Sequence, residues 1–512
     1  MGAKTKDTLS AALFCLLAAA GVLLLCSMNS WLYPLNPWND VNCFATVGRE
    51  FFHGKLPYRD LLEQKGPLLY ALHALALWPD PLSYQGIWVM EVLLLAGTLL
   101  CFHRILRLYA PEANVGWTAL LAAVICASKT FCYGDSAEQI CLLPMAGSML
   151  ALLRAWKTNT PLRGRDYLLH GALAGCILWI KFSLLGFHLV WMGFQAVAAL
   201  VVERKPRRAI AMCLWFLGGM LLASAPWLIL FGMNGALGDM VEVYFVRNIF
   251  GYSSRSRSVL FFMAKGLYKG MQDLWLSIPL LVALLGMLTA PASCVRAREK
   301  GFLMLAAAVM AVTIYGGGRH FTYYFLAFAV FLPFFPLALM RLGRKIARRP
   351  VMLRRGTALA TSVAMLALGI GMAFAGSGNV RYIGYDYEDT VQGQAVALLG
   401  RDPDKTLLNV GKLDMGLYMA LDARPADRWF DRLNFDQAAC QAAQLACIRE
   451  GRADYVVMAG MPMEGSGLDG HYVRVAELTS DYPGNKPCYL YRRAERVPEA
   501  PVPAMPAGET EA

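Results

Sequence analysis

Long apolar runs separated by short polar segments make up the first three quarters of the chain. Runs of roughly 17 to 25 apolar residues can cross a hydrocarbon core of about 30 Å as helices. Eleven such runs lie near residues 9–28, 84–106, 114–132, 138–156, 167–181, 183–202, 209–231, 273–290, 301–316, 320–340 and 357–376. The pattern predicts an all-α polytopic membrane domain over residues 1–376.

Two shorter helices are predicted between the first and second spans, in the first outer loop. After Asp40, the apolar residues Phe44, Val47 and Phe51 recur at helical spacing. This spacing is typical of a helix lying on a membrane surface with its polar side facing water. The apolar run 68–78 has about half the length of a span, which indicates a second interfacial helix.

The pattern changes after about residue 380, where long apolar runs stop and acidic residues become more frequent. Short apolar segments at 407–410, 455–458, 472–475 and 489–491 predict strands, and 436–449 predicts a helix. We therefore expect a small extracytoplasmic α/β domain at 377–497. The tail 498–512, rich in Pro, Ala and Glu, is predicted to be disordered.

Composition and charge agree with a membrane protein. Of the 512 residues, 57% are hydrophobic and 16% are charged, which is too apolar for a soluble protein. The net charge of +12 does not indicate nucleic-acid binding, because the basic residues form clusters between apolar runs. By the positive-inside rule these clusters place the N-terminus in the cytoplasm, and residues 29–83 and the C-terminal domain outside the cell membrane.

The N-terminal run also has the features of a secretory signal, with Lys4 and Lys6 before it. It lacks small residues of the processing type before Cys26, so we interpret it as a retained first span. The thirteen cysteines contain no C-x-x-C pair that would indicate zinc or a redox site. The sequence leaves open whether two of the residues Cys440, Cys447 and Cys488 form a disulfide.

Asp40 and Lys65 are the first candidates for chemistry in the predicted outer loop. A carboxylate at the membrane surface could take the proton of an acceptor hydroxyl, and a lysine could contact a phosphate. The alternatives are a solvated loop acid and a snorkelling interfacial lysine. Asp60 and Glu63 could also neutralise Lys65.

Later outer turns add further charged candidates. Asp135 and Glu138 lie in the next predicted outer turn, where an acid can serve either the helix N-terminus or a site. Lys181 lies on the outer side against the positive-inside trend, which favours a functional role. Further cations follow, with aromatic residues beside them. Such a combination suits sugars and phosphates, or anionic lipid. The cations are Arg247, Arg255, Arg257, Lys265, Lys269 and Arg319, and the aromatic candidates beside the last of them are Tyr323 and Tyr324.

These motifs together resemble those of the membrane-embedded GT-C glycosyltransferases, in the branch of the protein O-mannosyltransferases and the aminoarabinose transferases acting on lipid A. The resemblance rests on Asp40, Gly54-Lys55-Leu56-Pro57-Tyr58-Arg59-Asp60, Lys65-Gly66-Pro67-Leu68-Leu69-Tyr70, an acid in the second outer loop, Lys181 and Pro226-Trp227. It implies an inverting enzyme that uses a polyprenyl-phosphate sugar, with Asp40 as catalytic base.

The same resemblance assigns roles to the other candidates. Lys65 and Lys181 would contact the donor phosphate, and Glu138 is preferred to Asp135 as the second catalytic acid. The remaining substrate-binding candidates are Tyr58, Arg247, Arg319, Tyr323 and Tyr324. The acceptor would carry a hydroxyl on a glycolipid, a cell-wall polymer or a protein.

Two positions depart from the family pattern. Relatives often carry Lys-Pro-Pro where this chain has Lys65-Gly66-Pro67, and Asn42 breaks an Asp-x-Asp metal pair. We therefore predict no metal site and no cofactor, with lysines supplying the charge stabilisation. The alternative function is a transporter or flippase of lipid-linked saccharides, which would need ionisable residues within spans. Only Glu91 and His188 are candidates of that kind.

Overall fold

Helices form most of the chain up to Gly376 in the computed structural model, which describes residues 3–251, 258–347, 355–459, 468–484 and 487–494. The α-helices of this part are Ala3–Cys26 (α1), Asn39–Phe52 (α2), Pro67–Leu77 (α3), Gln85–Tyr109 (α4), Trp117–Cys126 (α5), Ala137–Thr158 (α6), Gly164–Lys181 (α7), Gly186–Val197 (α8), Pro206–Met233 (α9), Leu237–Met240 (α10), Val259–Met271 (α11), Leu274–Leu288 (α12), Ala297–Tyr315 (α13), Phe334–Ala347 (α14) and Arg355–Gly376 (α15). Other helical turns lie at Lys129–Phe131, Phe182–Leu185, Ala198–Val202, Val241–Gly251 and Thr322–Phe331.

The number of membrane spans differs from the sequence-based prediction. Within the described residues, six helices are long and apolar enough to cross a membrane, or eight if two bent helix pairs each count as one span. The bends are 107° between α11 and α12, and 54° between Thr322–Phe331 and α14. The predicted eleven spans are therefore not confirmed.

Helix breaks explain part of this difference. The predicted spans 167–181 and 183–202 together form the apolar segment Gly164–Val202, which is one of the six. The chain reverses direction within it at Phe182–Leu185, as shown by the 3.1 Å hydrogen bond that the Tyr167 hydroxyl on α7 donates to Gln195 on α8. The predicted span 114–132 contains the ten-residue helix α5 and the short helical turn Lys129–Phe131. Hydropathy shows that such segments are apolar but does not show where a helix stops.

One end of the bundle gathers three of the loops predicted to be cytoplasmic. Lys157 at the end of α6 pairs with Glu299 at the start of α13, at 3.8 Å. Tyr109 at the end of α4 donates to the same carboxylate at 3.3 Å. These contacts agree with the grouping of the basic loops on one side, while the orientation of that side stays a prediction.

At the C-terminal end the chain forms a five-stranded mixed sheet with flanking helices. The remaining α-helices and strands are Val391–Leu399 (α16), Thr406–Val410 (β1), Leu417–Ala420 (α17), Arg424–Pro425 (β2), Gln437–Arg449 (α18), Tyr455–Ala459 (β3), Leu468–His471 (α19), Tyr472–Leu478 (β4) and Cys488–Arg493 (β5), with short helical turns at Val380–Tyr382 and Tyr387–Asp389. The strand order is β2-β1-β3-β5-β4, with β1 parallel to β2 and β3, and β5 antiparallel to β3 and β4.

The four predicted strands and the predicted helix are present in this sheet region. The predicted tail 498–512 lies outside the described residues. Cys440, Cys447 and Cys488 are buried and each carries a free thiol. We call the side of the helical bundle that carries the sheet the domain face.

Both short helices of the first loop are confirmed, but the predicted environment of α2 is wrong. Its residues Val41–Glu50 are all buried. The Thr46 hydroxyl donates a 2.6 Å hydrogen bond to Asp414, and Arg49 forms a 2.5 Å ion pair with Asp422. The polar side of α2 therefore faces the C-terminal domain rather than water, because polar groups on the two surfaces satisfy one another.

Candidate functional site

Asp40 lies at the domain face in the first turn of α2, where the helix dipole favours a negative charge. Its Oδ2 atom is 3.8 Å from the Lys65 ammonium nitrogen and accepts a 3.3 Å hydrogen bond from the Tyr323 hydroxyl. The Asp40 side chain remains 19% exposed. The predicted acid and the first predicted lysine thus form one partly accessible group.

The backbone of Lys65 is fixed by its neighbours on both sides. Its amide nitrogen donates to the Glu63 carboxylate at 2.9 Å, and its carbonyl accepts from the Tyr58 hydroxyl at 2.6 Å. Burial holds the pKa of Tyr58 well above its usual range, so its hydroxyl remains a donor. Asp60 forms its ion pair with Arg59, at 2.8 Å, rather than with Lys65.

Gly66 joins the segment of Lys65 to that of Lys181. The Gly66 amide donates a 3.1 Å hydrogen bond to the carbonyl of Ile180. A Cβ atom at Gly66 would lie 2.0 Å from the Trp179 carbonyl oxygen. Only glycine therefore fits at position 66, and a proline there would also lack the N–H group that donates this hydrogen bond. This explains why the chain departs from the Lys-Pro-Pro pattern at Gly66.

Lys181 ends α7 and forms an ion pair with Glu138. Its ammonium nitrogen also lies 3.9 Å from the centre of the Tyr324 ring, a cation–π distance. Glu138 is fully buried in the first turn of α6, behind the N-cap Ser136, whose hydroxyl accepts from Gln139. The second predicted lysine and the preferred second acid are thus direct partners.

Asp135 occupies a different environment from Glu138. Its Oδ2 lies 2.6 Å from Nε2 of His73 on α3, and both side chains are fully buried. The Asp135 amide donates to Glu91 at 2.8 Å. Glu91 also accepts from Ser27 at 2.5 Å. This buried network supports the turn between α5 and α6, and it accounts for Glu91, one of the two ionisable residues that the sequence placed within spans.

A cavity of about 510 Å³ opens beside these residues on the domain face. Lys65, Lys181 and Arg319 bring three basic side chains to its wall. The other lining residues are Gln64, Ile180, Phe182, Ser183, Tyr244, Asn248, Ile249, Val259, Phe262, Thr313, Ile314, Gly316, Gly317, Gly318 and Tyr324. A cavity with convergent cations and largely apolar walls is suited to an anionic group that carries a lipid chain.

Three predicted substrate-binding residues do not line the cavity wall. Tyr323 instead donates a hydrogen bond to Asp40. Tyr58 is fully buried behind Lys65, with its ring 6.2 Å from the ring of Tyr244. Arg247 forms a 2.6 Å ion pair with Asp436 of the C-terminal domain. The candidates at 255 and 257 lie outside the described residues.

Sequence reasoning missed two residues that shape the site. Asn248 lines the cavity and donates a 2.7 Å hydrogen bond to the carbonyl of Gln64. Arg428 donates from Nε to the carbonyl of Tyr58 at 3.0 Å, although the two are far apart in the chain. An amide and an arginine in polar segments have no distinguishing local pattern, so only the folded chain reveals these contacts.

In the described part of the chain, no three side chains of the His, Cys, Asp and Glu types lie close enough together to hold a metal ion. The arrangement that is present can bind an anion with lysine and arginine, and can accept a proton at Asp40.

Comparisons with solved structures cover nearly the whole chain. ArnT from Cupriavidus metallidurans matches in the apo state with a TM-score of 0.58 and 14% identity, over 96% of this chain and 98% of that chain. The same protein bound to undecaprenyl phosphate matches with a TM-score of 0.58, 15% identity and the same coverage. An Archaeoglobus fulgidus oligosaccharyltransferase in complex with Zn and sulfate matches with a TM-score of 0.45 and 12% identity, over 87% of this chain and 67% of that chain.

Sequence comparisons add no relative: no protein-family model and no curated protein matches the chain. The structural match extends from the helical bundle through the C-terminal sheet, since it covers almost all of both chains. The chain therefore has the fold of ArnT, which confirms at the level of the fold the resemblance that its motifs indicated.

Proposed function

We propose that this protein is an inverting membrane glycosyltransferase that transfers a sugar from a polyprenyl-phosphate donor to an acceptor hydroxyl on the outer side of the cell membrane. The observation that carries the proposal is the cavity with Lys65, Lys181 and Arg319 on its wall, next to the pair of Asp40 and Lys65. The fold of ArnT, which has been solved with undecaprenyl phosphate, supports the choice of donor.

In the proposed reaction, the acceptor hydroxyl gives its proton to Asp40 as its oxygen attacks the anomeric carbon of the donor sugar. The bond between that carbon and the phosphate oxygen breaks, and the polyprenyl phosphate leaves with one more negative charge. Lys65 and Lys181 oppose this developing charge, with Arg319 at the same cavity wall. Attack opposite to the leaving phosphate inverts the anomeric centre.

Glu138 has a supporting role in this scheme. Its carboxylate pairs with Lys181 and fixes the ammonium group at the cavity. Tyr323 bonds Asp40, and the Tyr324 ring lies beneath Lys181. Each of these contacts orients a charged group before the substrate arrives, which reduces the reorganisation needed in the transition state. Tyr58 and Arg247 would act behind the cavity wall rather than on the substrate.

The test uses purified protein, radiolabelled prenyl-phosphate sugar and a crude envelope fraction as the acceptor. We expect glycosylated product and free prenyl phosphate to appear together. Asp40→Asn should lower transfer about 10²- to 10⁴-fold while donor binding is kept, because the amide cannot accept the proton. Intact donor recovered in the opposite leaflet, with no bond broken, would instead identify a flippase.

A further inference from the structure

Arg428, in the segment after β2, contacts two loops of the membrane part at once. Its Nε and Nη2 both donate to the carbonyl of Tyr58, the former at 3.0 Å. Nη2 also donates to Asp239 at 3.0 Å. The Arg428 carbonyl accepts a 2.9 Å hydrogen bond from the Leu62 amide. One residue of the C-terminal domain therefore holds the segment that leads to Lys65.

Tyr58 transmits this contact to Lys65. Its φ of 71° lies in the left-handed region, which a residue with a bulky side chain adopts only when its surroundings hold it there. The Arg428 guanidinium bonds the Tyr58 carbonyl, and the Leu61 carbonyl accepts from the Tyr58 amide at 2.7 Å. With its backbone fixed in this way, the Tyr58 hydroxyl reaches the Lys65 carbonyl at 2.6 Å.

A second connection leads from Arg428 through Asp239. This acid lies on α10, directly before the helical segment Val241–Gly251. That segment supplies Tyr244 and Asn248 to the cavity wall, and Asn248 bonds the carbonyl of Gln64, the residue before Lys65. The two connections from Arg428 therefore end at adjacent backbone carbonyls, those of Lys65 and Gln64.

We propose that Arg428 is a positioning residue through which the C-terminal domain holds Lys65 at the candidate donor site. Arg428 touches neither the cavity nor Asp40 in the contacts described above, so it acts through Tyr58 and Asp239. The consequence for turnover rests on the proposed function, whereas the consequence for the Tyr58–Gly66 backbone does not.

The first test measures amide hydrogen exchange on the full-length protein in detergent. Arg428→Met should increase exchange in peptides covering residues 58–66 about tenfold, because bonds that restrain local opening are lost. Arg424→Met is the matched control, since Arg424 joins the same domain to α2 by a 3.2 Å ion pair with Glu50. The control should leave exchange at 58–66 unchanged. Unchanged exchange in Arg428→Met would overturn the proposal.

The second test is a double-mutant cycle on sugar transfer. Arg428→Met should lower turnover about 10- to 100-fold in the wild-type background and have little further effect beside Lys65→Met, because the two residues act in series. Equal losses in both backgrounds would overturn the positioning role. If Arg428→Met does not fold, Arg428→Lys is used instead, because lysine keeps the positive charge and one donor nitrogen. This variant should show the same non-additivity with a smaller loss of turnover. Should the wild type transfer no sugar, the proposed function fails and the exchange test still decides the positioning role.

Discussion

The amide of Gly66 donates a hydrogen bond of 3.1 Å to the carbonyl of Ile180, and this contact brings the segments of Lys65 and Lys181 together. Two cations that are far apart in the chain thus line one cavity wall beside this backbone crossing. The crossing is closely packed, since Trp179 leaves no room for a side chain at Gly66. Under the proposed function, binding of the donor phosphate by both lysines therefore depends on the absence of a Cβ atom at Gly66.

Gly66→Ala should weaken both folding and donor binding. The added methyl group would meet the Trp179 carbonyl at 2.0 Å, so α3 and α7 must separate. Overpacking of this kind costs about 1 to 3 kcal/mol. Thermal unfolding and binding of a polyprenyl phosphate measure the two effects. Gly147→Ala on α6 is the control, because a Cβ there meets nothing within 4 Å. Equal behaviour of the two variants would contradict the prediction.

Lys181→Met should destabilise the protein, because it leaves the buried carboxylate of Glu138 without its cation. Removing one partner of a buried ion pair costs roughly 3 to 5 kcal/mol, whereas replacing both partners by apolar residues is often neutral. The double variant Lys181→Met with Glu138→Leu should therefore recover thermal stability but not sugar transfer.

This prediction is checked by comparing unfolding temperatures and transfer rates for the single and double variants. Recovery of transfer in the double variant would show that neither charge is needed for the reaction. Failure to recover stability would show that the pair does not act as a unit.

The stability of the contact between α2 and the C-terminal domain should depend on pH. Burial raises the pKa of Asp414 from its ordinary 3.8 to about 6, while the hydrogen bond from Thr46 opposes this shift. The folded protein then holds the proton more tightly than the unfolded chain does. The carboxyl group therefore stabilises the fold most below about pH 4, and this stabilisation is lost as the pH rises from about 4 to about 6.

The measurement is the unfolding temperature of the detergent-solubilised protein between about pH 4 and 7. The loss due to Asp414 is at most roughly 3 kcal/mol. Asp414→Asn should remove this part of the pH dependence. Thr46→Val should extend the pH dependence to higher pH, because the substitution deletes the hydrogen bond that lowers the pKa of Asp414. An unchanged profile in Asp414→Asn would rule out this carboxyl as the source.

Reporter fusions test the predicted orientation. A reporter placed after Ala375, at the end of α15, should be exported. A reporter placed at Lys345, near the end of α14, should remain in the cytoplasm. The two positions flank one span, so their opposite readings follow from the charge pattern of the loops. Both reporters on the same side would contradict the orientation and the outer location of the site.

Local pattern was enough to predict the elements that bear the site. Helical spacing predicted α2, the short apolar run predicted α3, and the unusual outer lysine at 181 pointed to the cavity. These features depend on residues near one another in the chain. The roles of Asp40, Lys65 and Lys181 remain predictions that the experiments above address.

Contacts between distant segments were not accessible to the same reasoning. From the sequence, the polar side of α2 is predicted to face water. In the structure it contacts Asp414 and Asp422 of the C-terminal domain, which are far away in the chain. The pairing of Glu138 with Lys181 likewise depends on how α6 and α7 approach each other. The count of eleven spans is not confirmed for a related reason, since an apolar composition does not show that a helix such as α5 ends after ten residues.

The bond from Cys43 to Asp431 joins residues 388 positions apart, at 2.9 Å. Protein synthesis delivers α2 to the membrane long before the ribosome reaches Asp431 or Asp414. During that interval Cys43 and Thr46 lack their hydrogen-bond partners Asp431 and Asp414. The Tyr58 carbonyl likewise has no hydrogen bond from Arg428. If Arg428 positions Lys65 as proposed, the nascent chain carries this lysine before the residue that positions it is made, so we expect assembly of the site to be completed late in biogenesis.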